Sequence, residues 1–459
     1  MGPFCVYRMT VFLEQFTNYV VRFNSFLWGV PMLALILGFS IYFTVKLKFI
    51  QRHLLASISL SIKKSASAGV ISSFGALVLA LAAMVGTGNI VGVAAAISTG
   101  GPGALFWMIF SAFFAMATKY AESVLAVKYR EKNEKGEYVG GPMYVLQNGL
   151  KMKKWAFTFA AATALMGFAD ALIQTNSLAA IYSSVLQVPS YWTTAGLVFL
   201  TALVILGGVQ KIAAVCKWLV PFMAILYIGL CCVVIFIHLP KLPWAIACIF
   251  KSAFSGTALL GGAVGITFKE AIRYGVSRGV LSNEAGSGSG AIAAAAAQTP
   301  NPVRQGLVSA TTVFWDTLVI CLLSGVAVVI AGDWQSGQFF GADLAQQAFG
   351  TLRAGPLLLL LSLSLFAFST LVGWSFYTAK SVQFCIHKSI EKPVYVVWLS
   401  VMCIGGFLSP KLVWELADTA IAVMCIPNLL GLWLLRREVV SETHQYLAKE
   451  LAQAKCKNN

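Results

Sequence analysis

Residues 81–92 read LAAMVGTGNIVG and lie inside a long apolar run that covers residues 74–99. Three glycines interrupt this run, and each glycine in a helix interior costs about 1 kcal/mol relative to alanine. Irregular backbone at membrane depth persists only where it is buried in protein or lines a cavity. The stretch therefore predicts a transmembrane helix that is broken near its middle, at Gly86 and Gly88.

A second glycine-rich stretch, FSGTALLGGAVGITF at residues 254–268, lies in the apolar run 245–270. Gly88-x-x-x-Gly92 and Gly261-x-x-x-Gly265 also fit a pattern that merely lets helices pack closely, and either one taken alone favours packing. The two runs, however, occupy corresponding positions in two halves of the chain. Interrupted segments in matching positions are the best sequence indication of a transporter's central binding site.

Composition places the chain in a membrane. Of its 459 residues, 58% are hydrophobic and 11% are charged, whereas soluble domains carry about 25% charged residues. Each spanning helix needs about 20 apolar residues. Eleven runs are long enough: 26–46, 74–99, 103–127, 156–185, 190–208, 212–237, 245–270, 303–331, 355–386, 394–409 and 413–435.

The distribution of basic residues fixes an orientation for these eleven spans. With the N-terminus outside, 26 of the 33 Lys and Arg residues fall on the inner side, five on the outer side and two within spans. Cytoplasmic loops carry such an excess of Lys and Arg. The charge predicts a multi-pass protein of the cytoplasmic membrane with its N-terminus outside and its C-terminus inside, and it needs no nucleic-acid partner to explain the net charge of +16.

The predicted fold is an all-α polytopic membrane protein with one extra N-terminal helix before a core of five plus five helices, two of them broken. Four segments follow from this division: 1–73, with the first span and a cytoplasmic loop; 74–240, the first core repeat; 241–435, the second core repeat; and 436–459, a cytoplasmic tail.

The sequence contains no motif that indicates an enzyme or an ATP-driven pump. The ten cysteines form no C-x-x-C pair and the four histidines are scattered, so neither a disulfide framework nor a metal centre is indicated. GTGNIVG has one residue too many for a dinucleotide fingerprint, and GSGSG at 286–290 is neither a nucleophile elbow nor a phosphate-binding loop. We expect no enzyme activity and no cofactor.

Several motifs in order resemble those of the alanine or glycine:cation symporter family. They are GTGNIVGVAAAISTGGPGALFWM, MATKYAESVLAVKYR, GGPMY, QTNSLA, AIRYGVSRGVLSNEAGSGS, NPVRQGLV, FAFSTLVGWSFY and MCIPNLLGLWLL. The resemblance covers about residues 20–435. It implies an eleven-helix symporter with an inverted five-plus-five core, a small neutral amino acid and Na⁺ as partners within the lipid bilayer, and a monomer as the expected oligomeric state.

The resemblance also implies roles for particular residues. Backbone N–H groups of Thr87 and Gly88 would receive the substrate carboxylate, and carbonyls around the second glycine stretch would receive its amino group. Gln174 and Asn176 lie two apart on one helix, so one lines the site and the other supports it, with Gln174 favoured as the contact. The substrate residues are Thr87, Gly88, Asn89, Gln174, Asn176, Gly262, Ala263 and Trp374.

A sodium site is implied between the broken first core helix and the eighth core helix. Its ligands are the carbonyls of Ala82, Val85 and Phe366 and the hydroxyls of Ser369 and Thr370. All are oxygen donors, as a hard cation prefers. The alternative for the two hydroxyls is routine hydrogen bonding to the backbone of their own helix.

The chain departs from the family pattern at three places. Asp170-Ala171 stands where Gly-Asn is usual, Ala263 replaces an aromatic residue, and Ala294 replaces a basic one. These departures leave open a larger neutral amino acid, either enantiomer of alanine, and H⁺ coupling through Asp170. A channel or an amino-acid receptor on the same scaffold is the alternative from another functional class.

Other charged residues predict a structural or gating network. Lys119 and Glu122 are expected to pair; Asp316 and Asp418 are coupling or structural groups; and Asn283, Glu284 and Arg304 form a cytoplasmic gate or a loop scaffold.

Overall fold

The computed structural model describes residues 15–24, 26–63, 69–134, 136–255, 267–386, 390–406 and 410–457. Eighteen helices of six or more residues are labelled in chain order. They are α1 Val30–Lys46, α2 Leu54–Ile62, α3 Ser73–Met84, α4 Val91–Gly100, α5 Gly103–Lys128, α6 Lys153–Leu186, α7 Ser190–Ile205, α8 Gly208–Ile237, α9 Leu242–Ser255, α10 Phe268–Asn283, α11 Gly290–Ala295, α12 Pro302–Val313, α13 Leu322–Ala331, α14 Ala342–Phe349, α15 Gly355–Ile386, α16 Glu391–Gly405, α17 Pro410–Leu434 and α18 Arg436–Lys457. Four two-residue strands accompany them: β1 Ile71–Ser72, β2 Glu131–Lys132, β3 Tyr138–Val139 and β4 Ala297–Gln298.

Six helices within the described residues are long and apolar enough to cross a membrane: Gly103–Lys128, Lys153–Leu186, Gly208–Ile237, Pro302–Ala331, Gly355–Ile386 and Val413–Leu434. The span Pro302–Ala331 includes a π-helical segment, Phe314–Cys321, between α12 and α13. A seventh span arises if α1 and the bent segment Ile50–Ile62, which meet at 65°, are counted together. The predicted all-α, polytopic class is confirmed at this level.

The remaining predicted spans are shorter helices. α7 has 16 residues and α16 has 15. The predicted span 74–99 is two half-helices, α3 and α4, of 12 and 10 residues. The break foreseen at Gly86 and Gly88 therefore lies where the sequence placed it.

The second predicted broken span, 245–270, is described by the structure only at its two ends. α9 ends at Ser255, and a separate helix, α10, begins at Phe268 and continues to Asn283. The segment 271–302, expected to be a cytoplasmic loop, therefore contains α10 and α11. The glycine stretch 256–266 on which the prediction rested lies outside the described residues. A search for apolar runs does not detect α10, because this helix is polar for a packed helix. Its hydropathy is lowered by Lys269, Glu270, Arg273 and Arg278.

A second interruption lies between α10 and α11. α10 starts beside the first turns of α5, where Gly275 packs against Ala104. It ends at Asn283, whose carbonyl accepts a hydrogen bond from Lys119 far along the same α5. After α11 the chain reaches β4, which pairs in parallel with β1, the strand that immediately precedes α3. The pairs α3–α4 and α10–α11 therefore run through the bundle in opposite directions.

The two broken segments are surrounded by long helices. α6 packs against α15 and α17, and α5 packs against α10 and α12. α8 presents large apolar side chains to the outside: Trp218, Phe222, Ile225 and Phe236 are between 59% and 82% exposed. Such a surface needs hydrocarbon around it. The predicted tail segment forms α18, and Lys128 of α5 pairs with its Glu438.

Candidate substrate and cation site

The first break leaves backbone groups without helical partners. α3 ends at Met84, Gly86 is extended, and residues Thr87–Asn89 form one 3₁₀ turn before α4 begins. Gly86 N–H donates to the Asn89 side-chain oxygen at 2.9 Å. A helix terminus of this kind presents N–H donors to an anion and carbonyls to a cation.

The second break is a buried turn formed by residues 284–289. Three of its residues have left-handed backbones: Glu284 (φ 54°), Gly286 (φ 94°) and Gly288 (φ 79°). Glycine adopts such angles readily, which explains Gly286 and Gly288 in the GSGSG sequence. Glu284 is buried and accepts a hydrogen bond from the Ser289 hydroxyl. The turn lies in the bundle interior and is part of the site, not a cytoplasmic loop.

A small cavity of about 30 Å³ lies between the two breaks. Each break contributes to its wall, and so do α6, α15 and α17. Its lining is Ala83, Met84, Gly86, Gly88, Met166, Asp170, Ile173, Gln174, Leu281, Ser282, Glu284, Thr370, Trp374 and Trp414. The structure thus brings Gly88, Gln174 and Trp374, three of the predicted substrate residues, to one cavity.

Thr87 and Gln174 are joined directly. The Gln174 side-chain oxygen accepts hydrogen bonds from the Thr87 N–H at 3.3 Å and from its hydroxyl at 3.0 Å. The Gln174 amide in turn donates to Asp170 at 3.0 Å. Both links are buried, so the first break is held against α6 by this chain of side chains.

Asn89 and Asn176 do not line the cavity. The Asn89 amide donates to Asp316 at 2.6 Å and to Ser282 at 3.1 Å. Asn176 donates to the Gly405 carbonyl at 3.0 Å and borders a different, larger cavity. Asn89 therefore stabilises the first break from the side that faces away from the cavity. Of the two amide side chains on α6, Gln174 is the one that lines the cavity. Gly262 and Ala263 lie outside the described residues.

The predicted cation ligands from α3 and α15 converge. The hydroxyls of Ser369 and Thr370 both reach the Val85 carbonyl, at 3.3 and 3.1 Å. Ser369 also donates to the Phe366 carbonyl at 2.9 Å. The Val85 backbone is extended, with ψ 91°, so its carbonyl leaves the α3 helix axis. Ala82 is fully buried in the same turn of α3.

This cluster offers a cation only oxygen atoms, from carbonyl and hydroxyl groups. Among the described residues, no group of three His, Cys, Asp or Glu side chains could hold a metal ion. Carbonyl and hydroxyl oxygens are what hard cations take, whereas transition metals favour imidazole or thiolate.

Sequence reasoning missed three features of the site. Ser282 and Asp316 form a polar cluster with Asn89, in which Asp316 accepts from Asn89, from Ser282 at 2.8 Å and from Thr317 at 2.7 Å. Asp316 is an intramembrane charge in the sequence, and such residues are by default functional or paired. For Glu284 the sequence predicts a gate or loop residue, because the polar segment around it resembles a loop. Trp414 carried no sequence signal.

A larger cavity of about 640 Å³ lies on the α4 side of the first break. Trp414 borders both cavities. The Arg278 guanidinium lies 5.5 Å from the Trp414 ring and pairs with Asp418 at 3.3 Å. This ion pair and Trp414 therefore separate the small cavity from the large one.

Apolar spanning helices and two antiparallel broken segments with a small cavity between them are typical of a membrane transporter of the secondary active class. The sequence matches the Sodium:alanine symporter family over residues 13–459, and the chain belongs to that family.

Named relatives agree with this assignment. The chain is 43% identical to the "Sodium/alanine symporter AgcS" of Methanococcus maripaludis, over 97% of this chain and 100% of that protein. It is 35% identical to the "Probable sodium/glutamine symporter GlnT" of Bacillus subtilis, over 96% of this chain and 93% of that protein. Its fold is similar to that of a manganese transporter from Eremococcus coleocola, with a TM-score of 0.54, 14% identity and 79% of each chain covered.

Proposed function

We propose that this protein carries out sodium-coupled symport of a small neutral amino acid, alanine or glycine, across the cytoplasmic membrane by alternating access. The observation that carries the proposal is the cavity walled by both helix breaks. Membership of the Sodium:alanine symporter family supports the same reaction.

The proposed architecture has eleven spans. The segment around α1 precedes a core of five plus five helices, in which α3–α4 and α10–α11 are the first helices of the two repeats. Their opposite directions support an inverted repeat. The excess of basic loop residues on one side supports an outer N-terminus and a cytoplasmic C-terminus.

The substrate carboxylate binds the first break in this proposal. The Thr87 N–H and hydroxyl and the Gly88 N–H are the donors, and Gln174 lies beside them. The amino group then faces Ser282 and Glu284 on the second break, which line the opposite wall. The small cavity and the fully buried Trp374 favour a side chain of hydrogen or methyl.

Sodium binds between α3 and α15 in this proposal. The hydroxyl hydrogens of Ser369 and Thr370, which point at the Val85 carbonyl, rotate away so that all the oxygens face the ion. The ion ties the broken helix to α15. Substrate and ion therefore stabilise the same arrangement of the first break, which is the physical basis for coupling them.

Access to the cavity is controlled by the barrier of Trp414 and the Arg278–Asp418 pair. In the proposed orientation, the 640 Å³ cavity opens toward the outside and this barrier is the outer gate. Rocking of the repeats would separate α10 from α17 and break the ion pair.

The test is uptake of labelled alanine and glycine by proteoliposomes under an inward Na⁺ gradient. We expect saturable accumulation against a gradient, which distinguishes a symporter from a channel or a receptor. Uptake that is unchanged when Na⁺ is removed would refute the proposal. Because one relative is named as a probable glutamine symporter, the competition panel includes glutamine, serine and D-alanine.

Ser369→Ala tests the cation site. We expect it to raise the Na⁺ concentration for half-maximal uptake by roughly 10- to 150-fold, since one charge-assisted contact is worth roughly 1.5–3 kcal/mol. Ser375→Ala is the matched control. Its hydroxyl is buried on the same helix but donates only to Val372 of that helix, at 2.7 Å. Equal Na⁺ dependence in both variants would refute the site.

A further inference from the structure

Three buried side chains form a directed chain of hydrogen bonds at the wall of the cavity. Thr87 donates to Gln174 through both its N–H and its hydroxyl, and Gln174 donates to the Oδ1 atom of Asp170. Every hydrogen bond points toward Asp170. The three residues are 0%, 4% and 6% exposed, respectively, so water does not compete for these contacts.

Asp170 is not neutralised by its surroundings. Its Oδ2 atom is buried and has no hydrogen-bond partner among the described residues. No ion pair within the described part of the chain involves Asp170, although five other carboxylates there are paired. A buried ionised carboxylate without a counter-charge is strongly destabilised and takes up a proton or a cation.

The other ionisable groups described around the cavity do not supply Asp170 with a positive charge. Glu284 is the second titratable residue that lines it, and as a carboxylate it offers Asp170 no counter-charge. The lining residues contributed by α15 and α17 are Thr370, Trp374 and Trp414, none of them charged. Arg278 is engaged by Asp418 on the far side of Trp414, and Lys119 donates to the Asn283 carbonyl beneath the second break.

The direction of the chain matters to the substrate. While Gln174 presents its oxygen to Thr87, it occupies the two donors that the substrate carboxylate requires. An amide side chain offers an acceptor on one side and donors on the other, so a rotation by half a turn exchanges them. An ionised Asp170 holds Gln174 in the unfavourable orientation because a carboxylate can only accept.

We propose that Asp170 binds a proton and that this proton prepares the site for the substrate carboxylate. The proposal rests on the proposed function and adds the proton as a second coupled ion. The proton comes from water and adds to an Asp170 oxygen. The resulting hydroxyl donates to the Gln174 oxygen, the Gln174 amide rotates, and its N–H groups face the first break. The Thr87 N–H and hydroxyl are then free to bind the substrate, together with a Gln174 N–H.

The experiment compares the wild-type protein with Asp170→Asn, a substitution of nearly the same shape that cannot ionise. Alanine binding is measured by calorimetry at saturating Na⁺ over a pH series. If one proton must bind, the wild-type Kd rises by about tenfold per pH unit above the titration of Asp170. We expect Asp170→Asn to bind alanine with a Kd that does not change with pH.

Two further measurements keep the test decisive. Asp316→Asn, in which a buried but fully hydrogen-bonded carboxylate is changed, should retain the pH slope whatever its affinity. Proteoliposomes filled with a pH-sensitive dye should acidify during alanine uptake by the wild type, but not by Asp170→Asn. A flat wild-type Kd, or a slope that persists in Asp170→Asn, overturns the inference. Na⁺-driven uptake in both proteins would still uphold the proposed function, and its absence in both would refute that function separately.

Discussion

The two helix breaks differ in how their polar groups are satisfied. At the first break, Thr87 is held by Gln174 from a neighbouring helix, and Gly86 and Gly88 line the cavity. At the second break, the turn is braced by groups that lie outside the cavity. Glu122 accepts from the Gly286 N–H at 2.7 Å, and Asn428 donates to the Gly286 carbonyl at 2.9 Å.

This difference indicates that the two breaks have different roles. A break whose donors face a cavity is available to a ligand, whereas a break whose N–H and C=O groups are already paired is a fixed element of the scaffold. Substitutions of the side chains that brace Gly286 should therefore reduce stability, and substitutions at the first break should reduce transport. A result in the opposite sense would show that the braced turn moves during the cycle.

The largest effect is expected from Glu122→Ala at the second break. The Glu122 carboxylate accepts from the Gly286 N–H and from Asn428 at 2.8 Å. Its loss leaves two buried donors unpaired at about 1–3 kcal/mol each, or roughly 2–6 kcal/mol in total. Thermal unfolding in detergent should show a large fall in Tm.

Ser123→Ala is the control for that measurement. Ser123 is the next residue on α5 and is fully buried, but its hydroxyl has no partner among the described residues. Its removal should leave Tm nearly unchanged. If Glu122→Ala kept the wild-type Tm and lost Na⁺ affinity instead, the assignment of the second break to the scaffold would be wrong.

A smaller effect, on transport, is expected from Gly86→Ala at the first break. A Cβ atom at Gly86 would lie 2.6 Å from the Thr370 hydroxyl and 3.1 Å from the Gln174 amide. Overpacking costs about 1–3 kcal/mol, so uptake should fall by roughly 5- to 150-fold. Gly92→Ala, on α4, meets nothing within 4 Å and should transport normally. Equal rates in the two variants would show that the first break tolerates bulk and does not define the site.

The sequence predicted the first break correctly but gave no indication of the interruption between α10 and α11, for a physical reason. The first lies in an apolar run, so its glycines stand out as interruptions. The second follows a helix that carries Lys269, Glu270, Arg273 and Arg278. These charges hide the helix from a hydropathy search, and only tertiary packing against α5 reveals that it enters the bundle.

The sequence also could not predict which side chains face the cavity. Gln174 and Asn176 differ by two positions on one helix, and spacing alone could not decide which of them faces the cavity. Asn89 lies in the predicted motif, yet it turns toward Asp316, which is distant in sequence. Chain order cannot supply such contacts between remote segments.

The smallest effect should arise far from both breaks, where α18 docks on α5. Glu438 receives hydrogen bonds from Lys128 at 2.8 Å and Tyr129 at 2.7 Å. Burial alone would raise the pKa of Glu438, but these two partners outweigh it and lower the pKa below its ordinary value. A lowered pKa contributes stability above the ordinary range, and this contribution is lost as the pH falls through the lowered value.

Hydrogen exchange of residues 436–457 would test this contact. In the wild type, protection of α18 should hold at neutral pH and weaken only in acid, below the ordinary titration range of a Glu carboxyl. Glu438→Gln should show the weaker protection already at neutral pH, by no more than about 1 kcal/mol because the pair is partly exposed. Uptake by this variant should match the wild type, since neither break touches the contact. Loss of uptake would instead link the tail to the transport cycle and extend the scaffold beyond the second break.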